Sequence, residues 1–241
     1  LNRYVYVKNN PLKYVDPTGN EAEPINTGGN SVFSGIYNRV KRSHPDFKNA
    51  INAKGVKFSI NGVETIGQLT YGGNVERTAL ATGHFNLDVI FKGDTLKIDS
   101  IPNLGEYSAT LPSDWKPIDT TMDLSINILK RFAKGLEEPS KSSSIASLNA
   151  YYDAHVVLNE EMTHTEDFYK TGGTMGYNQL EANGAASNVK YITNVLLSVL
   201  NDDLLSGKIT FRQRDAVERH LKEIAGKEEK RAQDEKAKVK N

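Results

Sequence analysis

The sequence predicts an α+β fold in which a small antiparallel sheet precedes a mainly helical half. Apolar and polar residues alternate over 85–98, which is typical of a pair of half-buried antiparallel strands. Apolar residues recur at helical spacing through 145–169 and 180–205, which predicts two long helices. The chain has 241 residues, of which 38% are hydrophobic and 25% charged, so we expect one domain of about 200 residues with flanking segments.

The elements of the first half are separated by turn residues. The helical spacing of apolar residues over 33–52 is interrupted at Pro45, which ends or restarts a helix. The dipeptide Asn61-Gly62 lies between two β-type runs and predicts a type I′ hairpin turn. Gly93-Asp94 predicts the turn of a second hairpin, and residues 102–119, which contain several prolines, predict a loop.

The second half begins with a helix-capping pattern. Thr120 with Asp123 resembles a capping box, so we expect a helix from there to Gly135. Residues 137–144 are polar and predict a connector before the long helix over 145–169.

The last third of the chain is predicted to be helical apart from short breaks. Glycines between 172 and 176 predict a reversal of the chain into the second long helix, over 180–205. A capping box at Thr210 opens a last helix, which we expect to end near Gly226. Residues 227–241 have almost no apolar side chain, which predicts a solvated helix end or a disordered tail.

The composition argues against several classes of protein. The chain has no cysteine, which excludes disulfides, cysteine-ligated zinc and thiol nucleophiles. It has 30 basic and 30 acidic residues, and this neutral balance disfavours a nucleic-acid partner. No apolar run approaches the ~18 residues of a membrane span, and no signal-peptide pattern is present. We therefore expect no membrane span, and export that depends on sequence upstream.

The chain starts with a long motif of the form Y-x-x-N-N-P-x-x-x-x-D-P-x-G. It is matched by Tyr6, Asn9, Asn10, Pro11, Asp16, Pro17 and Gly19. On the residues alone, Asn-Asn-Pro and Asp-Pro-Thr-Gly predict turns between short β-type runs. The ordered combination resembles the end of an Rhs (YD-repeat) core, a large β-rich shell. In that family an aspartate of the motif belongs to a self-cleavage site, so the resemblance assigns this role to Asp16, with Pro17 and Gly19.

The Rhs resemblance also has an implication for the rest of the chain. In that family the sequence beyond the motif is a variable C-terminal domain, usually a toxin carried inside the shell. We therefore expect the end of the core at 1–20, a linker at 21–30, the effector domain at 31–226 and a charged tail at 227–241. The partners implied are the Rhs shell and a secretion apparatus, a cognate immunity protein, and a target cell into which the toxin is delivered.

A second pattern lies within the first long predicted helix. Glu160 and His164 are four residues apart and project from one helix face, with Glu161 beside them. This spacing is that of H-E-x-x-H, with Glu160 in place of the first His. In that motif the outer residues bind zinc and the central Glu is the general base. A third ligand would come from the helix after the glycine turn, and Glu181 stands near the start of that helix.

The pattern resembles zincin metallopeptidases of the Glu-ligand kind, especially small effector proteases. The apolar residues before the motif and the helix that contains Glu181 carry this resemblance. It implies a protein-cleaving, metal-dependent hydrolase with Glu160, His164 and Glu181 as ligands. Glu161 would be the base that activates water, and Tyr177, or alternatively Tyr191, could donate a hydrogen bond to the oxyanion of a peptidase reaction.

Zinc is the metal that the zincin resemblance implies. Glu160 adds a second carboxylate to the donor set, and carboxylates favour harder cations such as manganese or magnesium. The added negative charge would also make the metal a weaker Lewis acid. We therefore expect a divalent cation, zinc first, with manganese or another metal as the alternative.

Three other interpretations are open on the sequence. The charged residues over 160–167 could form one polar helix face in water. The chain could be an ADP-ribosyltransferase, for which Arg77, His84 and Glu161 are available without forming a recognisable pattern. It could also be a non-enzymatic binding toxin with a decayed site.

Overall fold

The structure, a computed structural model, describes residues 14–15, 23–26, 30–66, 68–71, 74–78, 80–91, 94–99, 119–173 and 175–239. The strands are β1 (Tyr14–Val15), β2 (Glu23–Asn26), β3 (Val56–Val63), β4 (Gln68–Tyr71), β5 (Asn74–Thr78), β6 (Ala81–Phe91), β7 (Asp94–Asp99) and β8 (Asp119–Leu129). The helices are α1 (Ser31–Arg42), α2 (Pro45–Ile51), α3 (Lys130–Lys134), α4 (Ile145–Lys170), α5 (Tyr177–Tyr191), α6 (Leu197–Leu205) and α7 (Phe211–Val239). The chain is an α+β protein, as the sequence predicts.

The strands form one mixed sheet and one separate hairpin. The order in the sheet is β1-β2-β3-β8-β6-β7, and among the described residues β4 pairs with β5 alone. Strand β8 is antiparallel to β6 but parallel to β3, and β3 is also parallel to β2. The sheet is therefore mixed, whereas the sequence predicts an antiparallel sheet. After β4 to β7 the chain forms β8, which lies beside β3 and runs in the same direction.

The hairpin predicted at Asn61-Gly62 is wrong, because β3 continues through both residues. Asn61 pairs with Asn127 of β8, and Gly62 pairs with Ile128. The side-chain amide of Asn61 also donates a hydrogen bond to the Asn127 side chain, at 3.3 Å. Pairing with a strand distant in the sequence overrides the local turn preference. The second predicted hairpin is confirmed, since β6 and β7 are antiparallel neighbours.

The helix predicted from Thr120 to Gly135 is wrong over its first part, which is strand β8. Leu124, Ile126 and Ile128 are all buried, and their spacing of two residues is that of a strand with one face against the core. Only the end of the segment is helical, as α3. The loop predicted at 102–119 lies outside the described residues except for its last residue, which begins β8.

The helical half contains most of the predicted elements. Helix α4 begins at the N-cap Ser144, whose hydroxyl accepts a hydrogen bond from the Ser147 amide at 3.1 Å. Gly172 and Gly173 have positive φ angles of 58° and 78°, and they turn the chain into α5. The second predicted long helix is present, with a π-helical segment at Ile192–Leu196 between α5 and α6.

Helix α7 is longer than the sequence predicts. The capping box is confirmed, because the Gln213 side chain accepts from the Thr210 amide and the Thr210 hydroxyl accepts from the Gln213 amide. The helix passes through Gly226 and continues to Val239, so the predicted end is wrong. It continues because α7 packs along α5 and α4, which stabilises the helix beyond the point that local propensity favours.

None of the helices in the described residues is long and apolar enough to cross a membrane.

The core lies between the sheet and the helices α1, α2 and α4. Fully buried side chains from these layers include Phe33, Tyr37, Phe47, Ile60, Ile126, Leu158 and Met162. A smaller cluster fixes the end of α4 against the sheet, where the rings of Phe85 and Phe168 stack 4.9 Å apart. Helix α4 is thus held by the sheet on one side and by α5 and α7 on another.

The amino-terminal segments contribute two short strands to the sheet. Tyr14–Val15 pairs antiparallel with Glu23–Asn26, and the latter pairs with β3. The Rhs-type motif residues Asp16, Pro17 and Gly19 lie outside the described residues.

Candidate metal centre

The structure brings together the three residues that the sequence predicts to be metal ligands. Glu160 and His164 lie one turn apart on α4, and Glu181 faces them from α5. One ligand atom from each residue lies within 4.8 Å of the other two. Two carboxylates and an imidazole at this separation could hold a divalent cation.

Gly184 allows the two ligand-bearing helices to approach each other. A Cβ atom at this position would lie 2.5 Å from His164 Nε2 and 3.1 Å from Glu160 Cγ. Both distances are shorter than ordinary van der Waals contacts, so only glycine fits without displacing the ligands. The same contact shows that His164 directs its Nε2 atom towards α5, where Glu181 lies one turn before Gly184.

Two buried polar atoms at the site have no hydrogen-bond partner within the described part of the chain. They are His164 Nε2 and Glu161 Oε2. Both residues are more than nine-tenths buried, since His164 is 8% and Glu161 is 7% exposed. Buried polar atoms nearly always have a partner, so His164 Nε2 is the atom that fits a ligand such as a cation.

The electrostatics of the site favour positive charge on His164. Burial alone would lower the pKa of its imidazole, but the carboxylates of Glu161, Glu160 and Glu181 outweigh burial and raise this pKa to about 9. The proton on the ring therefore acts as a counter-ion to the carboxylates. A metal ion binding at Nε2 would displace this proton, as metal binding to histidine requires the neutral ring.

The two candidate carboxylate ligands differ in their surroundings. Burial tends to raise the pKa of Glu160, but the positive charges of Arg231 and His164 prevail and lower it. Burial raises the pKa of Glu181, and His164 only partly opposes this effect. Glu160 is thus firmly ionised, whereas Glu181 gains most from the arrival of a cation.

Both oxygen atoms of Glu160 are held by hydrogen bonds. Asn188 of α5 donates to Oε2 at 2.8 Å, and Arg231 of α7 donates to Oε1. The Arg231 guanidinium also lies 2.9 Å from Glu228 of the same helix. Three helices therefore fix the orientation of one carboxylate.

A chain of buried amides extends from Asn188 towards α2. Asn159 donates to Asn188 Oδ1 at 2.9 Å, and the side-chain carbonyl oxygen of Asn159 lies 3.0 Å from His44 Nε2. The other ring nitrogen of His44 lies 3.1 Å from Glu166, which also accepts from the Phe47 amide at 2.8 Å. Since these groups are buried or hydrogen-bonded, this part of α4 is not a polar helix face in water.

Glu161, the predicted general base, lies between α4 and the sheet. Its Oε2 atom is 3.8 Å from His164 Nδ1. A Cβ atom at Gly83 of β6 would lie 2.4 Å from the Phe85 ring and 3.2 Å from the same oxygen, so a glycine on the strand makes room for the ring and for this carboxylate. Tyr177, the predicted hydrogen-bond donor, stands at the start of α5 and is 53% exposed. Its partial burial, together with the neighbouring Glu181, raises the pKa of its hydroxyl to about 12, so it is protonated at neutral pH.

Sequence reasoning missed Arg231 and Gly184. Arg231 lies in the segment predicted to be a solvated tail, and its partner Glu160 is 71 residues away. One pattern could have indicated its position: the buried residues Leu221, Glu228 and Glu235 of α7 are spaced at intervals of seven. That spacing predicts a helix with one packed face through Arg231. Gly184 has no distinguishing pattern, because its role arises from contact with another helix.

Other predicted or charged residues lie away from the cluster or outside the described residues. His155 is buried against the rings of Tyr151 and Tyr152, apart from the ligands. The side chains of Arg77 and His84, named for the transferase alternative, lie outside the described part of the structure.

No family model, curated protein or solved structure matches this chain. The chemistry of the site is therefore inferred from its own side chains: the donor set Glu160, His164 and Glu181, with Glu161 and Arg231 adjacent to it.

Proposed function

We propose that this chain is the toxin domain of an Rhs-type effector and that it is a zincin-like, metal-dependent hydrolase acting on proteins of a target cell. The observation that carries the proposal is the convergence of Glu160, His164 and Glu181, with one ligand atom of each inside 4.8 Å. The buried, unpartnered Nε2 atom of His164 supports it, because a cation would satisfy that atom.

Zinc is the proposed metal. A zinc ion at the site would polarise a water molecule and a substrate carbonyl group. Imidazole suits zinc, while the two carboxylates also suit manganese, which is the alternative. The carboxylates of Glu160, Glu161 and Glu181 outnumber the nearby cations His164 and Arg231, and this excess of negative charge favours a divalent cation.

The residues around the donor set would divide the remaining tasks. Glu161 is the proposed general base, since its Oε2 atom is buried without a hydrogen-bond partner in the described residues and lies beside His164. Tyr177 is the proposed donor to the oxyanion, because its hydroxyl lies next to Glu181 and is protonated. Asn188 and Arg231 hold the Glu160 carboxylate in place.

The amino-terminal motif supports the toxin part of the proposal. The seven matched residues from Tyr6 to Gly19 resemble the end of an Rhs core. We infer from this resemblance an upstream shell, a secretion apparatus, an immunity protein that neutralises the toxin, and self-cleavage at Asp16. The domain would act after delivery into the target cell.

The proposal is tested by expressing the chain inside bacteria, with Glu161→Gln as the catalytic variant. This substitution removes the proposed base and keeps the shape of the side chain. Glu223→Gln is the matched control, since Glu223 is an exposed glutamate on α7 that pairs with Lys227. We expect the wild type and the control to be toxic and Glu161→Gln to be harmless although folded, as judged by circular dichroism.

The same cells provide the substrate test. Cleaved host proteins, found by mass spectrometry of new protein termini in wild-type cells alone, would support the protease. Toxicity that persists in Glu161→Gln, or an NAD-dependent label on host proteins instead of new termini, would contradict it.

A further inference from the structure

The donor set contains a carboxylate where the H-E-x-x-H pattern has its first histidine. Two carboxylates and one neutral imidazole carry a charge of about −2, one unit more negative than a set with two imidazoles and one carboxylate. This difference alone would change both the affinity and the preference of the site for metals. The carboxylate that replaces the histidine, Glu160, is the one that bonds to Arg231.

We propose that Arg231 is a specificity-determining residue of the metal site, because its positive charge offsets the negative charge of Glu160. This inference rests on the metal site of the proposed function. It assigns a role to α7 that lies outside the donor set and outside the H-E-x-x-H pattern.

The placement of Arg231 fits this role. Its side chain is 10% exposed, so its charge is poorly screened by water. Guanidinium remains protonated in proteins, so the compensation is permanent. Asn188 holds the other oxygen of Glu160 at 2.8 Å, and the Arg231 Nη2 atom that bonds to Glu160 also lies 2.9 Å from Glu228. The pair is therefore fixed in geometry as well as in charge.

Charge compensation predicts an effect opposite to that of a purely structural contact. If Arg231 only supported the fold of the site, removing it would loosen the ligands and weaken metal binding. If it compensates charge, removing it makes the site more negative and strengthens the binding of divalent cations. Manganese should gain more than zinc, since harder cations respond more to carboxylate charge.

The test measures the affinity of the purified full chain for Zn²⁺ and for Mn²⁺, each added alone in competition with a chelating dye. For Arg231→Gln we expect Mn²⁺ binding to be tighter by about tenfold or more, with a smaller gain for Zn²⁺. Arg231→Lys keeps the charge, and its affinities should stay within about threefold of the wild type. Lys222→Gln removes an exposed cation from the same helix, 62% exposed, and should change nothing.

Every outcome either supports or overturns the inference. Binding by Arg231→Gln that equals or falls below the wild-type affinity would overturn the inference, while leaving the metal site intact if the wild type binds. Arg231→Lys that behaves like Arg231→Gln would also overturn it. If neither the wild type nor any variant binds metal, both the proposed metal site and this inference are contradicted. If Arg231→Gln binds metal and the wild type does not, both are supported.

A second variant covers the case in which Arg231→Gln does not fold. Glu228→Gln leaves Arg231 in place and removes a negative charge beside it, so the site becomes more positive. We expect this variant to bind Mn²⁺ more weakly, by about threefold or more. Unchanged or tighter binding would overturn the inference.

Discussion

At the scale of single residues, the site depends on small side chains as much as on charged ones. Gly184 lets α5 contact His164 and Glu160, and Gly83 gives Glu161 room beside the sheet. At Gly184, side chains of another helix occupy the space of a Cβ atom, whereas at Gly83 this space is taken first by the ring of Phe85 on the same strand and then by Glu161. Sequence patterns cannot show the role of Gly184, because its contacting atoms belong to residues that are distant along the chain.

Gly184→Ala is expected to damage the metal site more than the fold. The added methyl group would overlap His164 Nε2, which lies 2.5 Å from the Cβ position. Overpacking of this kind costs about 1–3 kcal/mol, partly offset by the helix propensity of alanine, and we expect metal affinity to fall by at least about tenfold. Gly226→Ala is the control, since its Cβ would meet no atom within 4 Å and should stabilise α7 by up to about 1 kcal/mol. Wild-type metal affinity in Gly184→Ala would contradict the close approach of the two helices.

His155 predicts a pH dependence of stability that is independent of the metal site. Burial lowers the pKa of this histidine to about 4, against a usual value of 6.5. The unfolded chain therefore takes up the proton first, and stability is lost as the pH falls from about 6.5 to about 4. The loss attributable to this residue is about 3 kcal/mol, since each pKa unit corresponds to about 1.4 kcal/mol.

The check is urea unfolding at pH 7 and pH 5 for the wild type and His155→Phe, which retains a ring beside Tyr151 and Tyr152. The wild type should lose more stability than the variant between these pH values. His220→Gln is a control in which the pH dependence has the opposite sign. A hydrogen bond to Asp153 raises the pKa of His220, so this histidine contributes more to the stability of the fold at low pH. An equal pH dependence in the wild type and His155→Phe would contradict the assignment.

At the scale of elements, α7 differs most from the sequence-based prediction. Its carboxyl-terminal half has the composition of a solvated tail, yet Glu228 and Glu235 are buried and Arg231 is 10% exposed. The helix thus brings charge to the site from the end of the chain. Residues 227–239 belong to the folded unit.

Deletion of residues 227–241 should therefore destabilise the protein. It would leave the Glu160 carboxylate buried without the guanidinium of Arg231, and breaking a buried ion pair in this way costs about 3–5 kcal/mol. Deletion of 237–241 is the control, since the described residues that it removes, 237–239, are all exposed and include Lys238, the partner of Glu235. Thermal unfolding of the three chains compares the two effects. If the longer deletion unfolds at the same temperature as the wild type, the tail is not part of the folded unit.

Elements with local determinants were predictable, and those that depend on distant partners were not. The helix α4, its N-cap Ser144 and the positive-φ turn at Gly172 arise from neighbouring residues. The strand through Asn61 and the strand β8 depend on pairing with each other across more than sixty residues. The donor set could be predicted because a helix fixes the spacing of Glu160 and His164, whereas Arg231 reaches the site only through tertiary packing.

At the scale of the whole molecule, the sheet and α1 and α2 hold α4 from one side, while α5 and α7 close over it from another. Helix α4 carries the motif, α5 carries Glu181 and Asn188, and α7 carries Arg231. The candidate site is therefore the meeting point of three helices, and a cation there would link two of them directly. We expect metal binding to stabilise the whole domain, as any ligand of the folded state does.

The metal content of the purified chain, determined by mass spectrometry for the wild type and for His164→Ala after dialysis against zinc, tests the proposed metal centre most directly. We predict about one zinc ion per wild-type chain and none in His164→Ala. A chelator should lower the unfolding temperature of the wild type and leave that of His164→Ala unchanged. His220→Ala is a useful control, because His220 lies outside the donor set and bonds to Asp153. If neither chain holds zinc or manganese and chelation has no effect, the metal centre and the hydrolase built on it are contradicted.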